Sequence, residues 1–247
     1  MRRFVFPLLL ALALPLAADE PDPYTSPDWE RVLIPVVATG QAGAYGSEWY
    51  TTFWMANRGE GTVHVAVPNP ELIVLYPFPA IYSLGPGEAK QFLTKQSDHA
   101  GAFVAVPKGE IDDVTFSLRV ADLYTWAGGL GTYFPAVRES SFRKKVVITG
   151  FRILPTPRTM LRVYSGVDRE VRVTVRTRLH LARLVREQSL TLTPATPAFP
   201  GFASMQIERN DDDATIEVES DGAPIWAFVS ITGAATSGSQ VVFIATP

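Results

Sequence analysis

Apolar residues recur along the chain in short runs of period two, each bounded by Gly, Pro, Asn or Asp. In the first half these runs are Val32–Ala38, Tyr50–Ala56, Thr62–Val67, Leu72–Tyr76, Ala89–Leu93, Ala102–Val106, Val114–Tyr124 and Thr132–Val137. In the second they are Val146–Phe151, Met160–Tyr164, Val171–Thr177, Ser189–Leu192, Ala203–Ile207, Thr215–Val218, Ile225–Ile231 and Gln240–Ala245. Alternation of this length, rich in β-branched and aromatic residues, predicts strands with one buried face, and the regular punctuation predicts an antiparallel sandwich or barrel. A competing pattern occurs at Leu179–Gln188, where Leu181, Leu184 and Val185 have helical spacing. That stretch is short, uncapped and flanked by strand runs, so strand remains the expectation.

The pattern repeats. Glu48–Val67 lies without gaps over Thr156–Val175 at an offset of 108, placing Phe53 on Leu161, Met55 on Val163, and Val63, Val65 and Val67 on Val171, Val173 and Val175. The same offset carries Leu84 and Pro86 onto Leu192 and Pro194, and Phe134 and Ala136 match Phe243 and Ala245 one residue out of step. Two copies that keep one inward face and little else would look like this. The expected fold is therefore all-β, two tandem antiparallel immunoglobulin-like β-sandwich domains of seven or eight strands each, at 31–140 and 141–247. The long run Val114–Tyr124 is expected at a sheet edge, where it would recruit a partner by strand addition or need blunting by charge.

The first residues follow a different rule. Met1-Arg2-Arg3 precedes an apolar run of thirteen, Phe4–Leu16, which fits the h-region of a secretory signal and is too short for a spanning helix. A signal peptide at 1–18, cleaved near Ala18, implies an exported protein with no transmembrane segment in the mature chain, and export without any cysteine reads as bacterial, secreted or periplasmic. Residues 19–30, rich in Asp and Pro, read as a solvated acidic linker. The chain has no cysteine, which rules out disulfides, thiol catalysis and a lipid-anchored N-terminus, and leaves buried area to supply stability.

Candidate chemistry is sparse. Gly-x-Ser-x-Gly and His-Glu-x-x-His are absent. His64 alternates with inward valines and is expected at the surface. Asp98–His99 is the only sequence-local dyad, and no serine motif completes it. Asp112-Asp113 and Asn210–Asp213 lack the spacing of a calcium loop and read as turns. The glycine-rich stretches at 40–46 and 128–131 precede strands, not helices, so they do not form phosphate cradles. No catalytic residue, metal site or cofactor is expected, and the chain is not expected to be an enzyme.

Charge and aromatics are uneven. Residues 19–140 carry seven Lys/Arg against fifteen Asp/Glu, and 141–247 carry thirteen against ten. Arg172, Arg176 and Arg178 share one strand face, which suits a polyanion, an acidic neighbouring domain or the cross-strand glutamates Glu217 and Glu219. Aromatics number seventeen in 19–140 and eight in 141–247. Among them Trp49, Tyr124 and Trp126 are candidates for stacking on a sugar, although Trp126 shares the parity of the core row Val114, Phe116, Leu118 and Val120.

The chain resembles uncharacterised secreted bacterial proteins with tandem immunoglobulin-like β-sandwich modules. The resemblance rests on Trp49-Tyr50-Thr51-Thr52 through Asn57-Arg58-Gly59, Gly131–Ala136, Gly150-Phe151-Arg152 and Pro224–Ser230. It implies export and a sandwich fold but no activity. Met160 and Ser165 stand where such modules usually have Asn, and Ile231-Thr232-Gly233 replaces a polar turn. Together these features predict an exported, non-catalytic binding or scaffolding protein. Its expected partner is an envelope or extracellular protein, or a polysaccharide, and no nucleic acid is expected. The alternatives are a carbohydrate-binding module and, third, a carboxylate-dependent hydrolase.

Overall fold

The computed structural model describes residues 21–42, 48–68, 80–93, 100–122, 131–152, 158–179, 185–207, 213–232 and 240–244. The first half contributes β1 (Trp29–Ile34), β2 (Thr39–Ala42), β3 (Glu48–Asn57), β4 (Val63–Val67), β5 (Ala80–Leu84), β6 (Ala89–Leu93), β7 (Ala102–Pro107), β8 (Val114–Asp122), β9 (Thr132–Phe134) and β10 (Val137–Arg138). A 3-10 turn, Glu139–Ser141, leads into the second half. There β11 (Lys145–Arg152), β12 (Arg158–Ser165), β13 (Val171–Leu179), β14 (Val185–Leu192), β15 (Gly201–Gln206), β16 (Asp213–Ser220), β17 (Ile225–Thr232) and β18 (Gln240–Ile244) follow. The chain is all-β among the described residues, and every strand pairing is antiparallel.

Each half has two sheets. In the first, β1–β7–β4–β5 form one sheet with β10 on its outer edge. The other has β3 and β8 at its centre, β9 beyond β8, and β2 and β6 sharing the far side of β3. In the second half the orders are β11–β16–β13–β14 and β15–β12–β17–β18. The same plan recurs down to register. Val63 faces Leu84 and Val171 faces Leu192; Phe53 faces Leu118 and Leu161 faces Val229; Leu118 faces Phe134 and Val229 faces Phe243.

Period-two burial builds the cores. Thr51, Phe53, Met55 and Asn57 of β3 point inward with Val114, Leu118 and Val120 of β8. In the second half Leu161 and Val163 meet Val173, Val175, Ile216, Val218, Ala227 and Val229 in a separate cluster. Asn57 closes the end of β3 by donating to the Gly61 and Leu84 carbonyls and accepting from the Gly59 amide. Ser165, at the matching end of β12, donates to the Pro224 carbonyl and accepts from the Val167 amide. The shorter side chain keeps the turn contact with its second neighbour.

Two sheets are buried on both faces. The β1/β7 pair buries Val32, Ile34 and Val104 on one side and Leu33, Phe103 and Ala105 on the other. In β17, Ile225, Ala227 and Val229 face the second core, whereas Trp226 and Phe228 belong to the first core's cluster together with Tyr164 of β12. The outer face of the β15–β12–β17–β18 sheet therefore docks on the first half. Tyr164 is fully buried, and its hydroxyl donates to the Pro35 carbonyl. Phe228 meets Phe134 edge-on at 5.4 Å, and the Phe103 amide donates to the Ala198 carbonyl at 2.9 Å. Gly101 permits this approach, because a Cβ there would sit 2.9 Å from the Ile34 oxygen and 3.2 Å from Tyr164 Cε1.

Arg31 completes the joint. Its guanidinium grips Glu139 in bidentate fashion at 2.6 and 2.7 Å, donates to the Gly166 carbonyl at 2.8 Å and lies 4.6 Å above the Phe103 ring. A Cβ at Gly166 would overlap the Glu139 carboxylate. The halves meet through aromatic rings and one arginine of the acidic half, so general attraction between a basic and an acidic domain is not what joins them.

Two expectations change and one holds where the chain is described. Asp22–Asp28 is not a solvated linker: it forms turns, and Tyr24 is buried with its hydroxyl on the Ala66 carbonyl. Val114–Tyr124 is not an edge where described, because β8 is paired along its whole length with β3 and carries β9 on its other side. Leu179–Gln188 is not a helix where described, since β13 runs to Leu179 and β14 starts at Val185. The signal sequence and Leu72–Tyr76 lie outside the described residues.

Burial pushes the Tyr164 hydroxyl up to about 12 from 10.0, with Arg162 opposing, and raises Tyr24 well above its ordinary value. The unfolded hydroxyl ionises near 10 while the native one stays neutral, so its contribution to stability is constant below that pH and falls as pH rises toward 12. Replacing Tyr164 by Phe is expected to cost about 1 kcal/mol at neutral pH through the lost hydrogen bond. It should also remove a slope of up to ~1.4 kcal/mol per pH unit above pH ~10. Urea unfolding of both proteins at neutral and alkaline pH measures the two effects.

Candidate functional site

Two exposed sheet faces gather the side chains that the sequence singles out. The first is the outer face of β11–β16–β13–β14. Because Val171, Val173 and Val175 point inward, Arg172, Thr174, Arg176 and Arg178 of β13 point outward. The register sets Arg176 opposite Glu217 on one side and Glu187 on the other, with Thr174 opposite Glu219.

Arg176 uses that position fully. Nε donates to Glu187 at 2.9 Å, and Nη1 donates to Glu217 at 2.9 Å and to Glu219 at 2.6 Å. The three carboxylates push the guanidinium pKa further up. Lys145 Nζ approaches Glu217 at 3.0 Å from the other side, and Lys145 together with Arg176 holds the Glu217 carboxyl below its usual range. Nearby, Arg169 pairs with Asp221 at 3.0 Å and, with the Arg172 amide, lowers the Asp221 carboxyl.

The three arginines therefore share a face but not an environment. Arg172 is 81% exposed and reaches only Glu170, at 3.8 Å. Arg178 is exposed, and Arg176 is enclosed by carboxylates. A polyanion arriving here would compete with three carboxylates already placed on the central arginine. Glu217 and Glu219 were legible as cross-strand partners from their alternation with Ile216 and Val218. Glu187 was not, because its strand fell within the helix-like stretch.

The second face is the outer side of the sheet around β3 and β8. Trp49 has the parity of Phe53 and Met55 and packs, half-buried, against the first core. It does not stand out as a stacking platform. Tyr124 and Trp126 lie outside the described residues. The opposite parity carries Tyr50, Thr52 and Trp54, with Thr52 facing Arg119 and Arg119 facing Tyr133 across the sheet. Trp54 is half-buried, and Tyr133 is 64% exposed. Sequence parity within Trp49–Asn57 already separates Trp54 from Trp49. Tyr133 emerges only once β9 is placed beside β8.

The remaining candidates serve the fold. His64 is partly exposed, with Nδ1 3.2 Å from Glu110, whose carboxylate also accepts the His64 amide. Asp112 pairs with Arg138 at 2.6 Å in the β7–β8 turn. Asp98–His99 and Asn210–Asp212 lie outside the described residues. Among the described residues no group of three or more His, Asp or Glu side chains is arranged to hold a metal ion, and no helix is long and apolar enough to cross a membrane.

No family model matches the chain, and no curated protein matches it. A solved structure of Thermotoga maritima 1070 is similar over 43% of this chain and 95% of its own, at 10% identity and a TM-score of 0.34.

The charged face carries its own pH signature. The folded Glu217 and Asp221 carboxyls are held below their unfolded values of 4.5 and 3.8. Their contribution is complete above those values and is lost as pH falls through the folded ones. Replacing Arg176 by Ala is expected to lower stability at neutral pH and to flatten the acid limb. The two unfolding curves should converge at low pH and in high salt. Urea midpoints collected from neutral to acid pH check this.

Proposed function

We propose that the chain is an exported, non-catalytic binding or scaffolding protein made of two immunoglobulin-like sandwich modules, and that it contacts an envelope or extracellular protein through the outer face of β3, β8 and β9. The observation that carries this reading is the placement of Trp54 and Tyr133 on that face, with Arg119 between strands beside them. Aromatic residues and arginine dominate the energetics of protein contacts, because large, stiff side chains lose little entropy when they are covered. Support also comes from the second half, where the matching face of β15–β12–β17–β18 is itself a protein-docking surface built on Tyr164, Trp226 and Phe228. The sheet plan is thus one that presents side chains to a protein partner.

The joint gives such a surface a fixed mounting. With Tyr164 and Arg31 tying the halves together, a partner bound to the first module is held in a set orientation to the charged face of the second. This suits scaffolding, where geometry is the product. Export rests on the Arg2-Arg3 and Phe4–Leu16 pattern. The second reading, carbohydrate binding, draws on the same exposed rings, since a sugar face stacks on an aromatic ring much as an apolar side chain does.

The test uses the mature chain as bait against an envelope extract from its own source, beside a Trp54→Ala/Tyr133→Ala double variant of unchanged thermal midpoint. A protein retained in stoichiometric amount by the wild type, and reduced by about 30-fold or more in the variant, is expected for truncation of two central contacts. Equal retention by both proteins, or none by either, contradicts the proposal. A glycan array probed with the same pair decides the second reading: binding there that the variant loses would favour the sugar.

A further inference from the structure

The joint between the halves has two unlike surfaces. The acceptor is the outer face of β1–β7, where Leu33 and Tyr164 both lie beside Gly101, the Phe103 amide meets Ala198 and Arg31 reaches Gly166; Ala105 and, on β4, Ala66, whose carbonyl also receives the Tyr24 hydroxyl, continue that face. The donor is the outer face of β12–β17–β15, made of Tyr164, Trp226, Phe228 and Phe202. A contact between unlike faces of repeated modules is heterologous, and such contacts propagate into chains or filaments unless something stops them. Apolar stacking of this kind normally needs polar terminal faces.

Both end faces carry such a stop, and the register shows which substitutions make it. Val32 faces Val104 in the first half as Val146 faces Val218 in the second, which sets Arg31 against Lys145, Leu33 against Val147, Phe103 against Glu217 and Ala105 against Glu219. Ala66, opposite Ala105, corresponds to Thr174, opposite Glu219. The free acceptor face therefore has two carboxylates and a hydroxyl where the used one has a ring and two methyl groups. Arg176 and Lys145 neutralise those carboxylates within the face itself, and Arg176 also pairs with Glu187. Docking an aromatic donor there would desolvate a paired cluster with nothing to replace its water.

The other end is altered in the same sense. Asn57 faces Val114 as Ser165 faces Ile225, so Tyr164 corresponds to Ala56, Trp226 to Thr115 and Phe228 to Ser117, while Phe202 corresponds to Ala89. All four donor rings are replaced by small residues. Neither end of the pair can repeat the joint.

We infer that the two-module stack is closed. The joint is made once, within one chain; the network around Arg176, Glu217 and Glu219 is an end cap and not a ligand site; and a second copy of the chain does not extend the stack through this joint. The inference rests on the strand registers and is independent of what the face around Trp54 binds.

Sedimentation velocity of the mature chain tests it. From micromolar to millimolar concentration, in low and in molar salt, a single species with the mass of one chain is expected. Assemblies of the wild type that persist in the Trp54→Ala/Tyr133→Ala variant would overturn the inference. A Thr174→Ala/Glu217→Phe/Glu219→Ala variant copies the used acceptor face but meets no free donor and is expected to stay monomeric; adding Ala56→Tyr/Thr115→Trp/Ser117→Phe, which copies the donor at the other end, is expected to make the chain associate with rising concentration. A Glu217→Gln/Glu219→Gln variant keeps the face polar and is expected to stay monomeric. A folded variant carrying both sets that remains monomeric throughout would contradict the capping role. If that variant does not fold, association of the Gln variant or of the wild type through faces other than that of Trp54 still overturns the inference, and a monomeric result for both upholds it. A failed envelope capture leaves all of these outcomes standing.

Discussion

Tyr164, Trp226 and Phe228 stand on a face of their sheet that alternation alone would give to water, and the rest of the molecule is arranged around covering them. Full burial of a side chain of this size stabilises by about 1.5–3 kcal/mol, whereas a partly exposed ion pair adds at most about 1. The rings therefore hold the halves together, and Arg31 fixes how. Its bidentate grip on Glu139, bond to the Gly166 carbonyl and position over Phe103 admit one orientation. Gly101 and Gly166 are the local cost of that closeness, since neither position tolerates a Cβ.

The joint explains why two halves with one strand plan look so different on the outside. The first has given one sheet face to its neighbour and kept the other, with Trp54 and Tyr133, for the surroundings. The second has done the reverse, docking with its aromatic face and turning the arginine- and glutamate-bearing face outward. Arg176 belongs to the same logic, because a flat sheet face left in water needs charges that satisfy one another across strands.

Much of the fold was legible because inward faces obey a period of two. Phe53 and Met55, or Leu161 and Val163, declare a buried row whatever lies beyond it. Double burial was legible in principle as well: Ile225–Ser230 and Phe103–Val106 are unbroken runs, the mark of strands covered on both sides. What such runs do not say is which element covers them. Tyr24 was hidden in an acidic, proline-rich stretch whose composition resembles a linker, because one buried ring hardly changes composition. The Arg176 cluster was half legible, since two of its three carboxylates alternate on a neighbouring strand. The third depended on a register that only the hairpin sets. Trp49 packs half-buried against the first core, as its parity with Phe53 and Met55 already implies.

The most direct measurement of whether the joint makes one body of the two halves is differential scanning calorimetry of the mature chain at neutral pH. A single transition whose calorimetric and van't Hoff enthalpies agree is the expected result, because the second half cannot leave without exposing Tyr164, Trp226 and Phe228. Two separate transitions, each with the enthalpy of about half the chain, would contradict it.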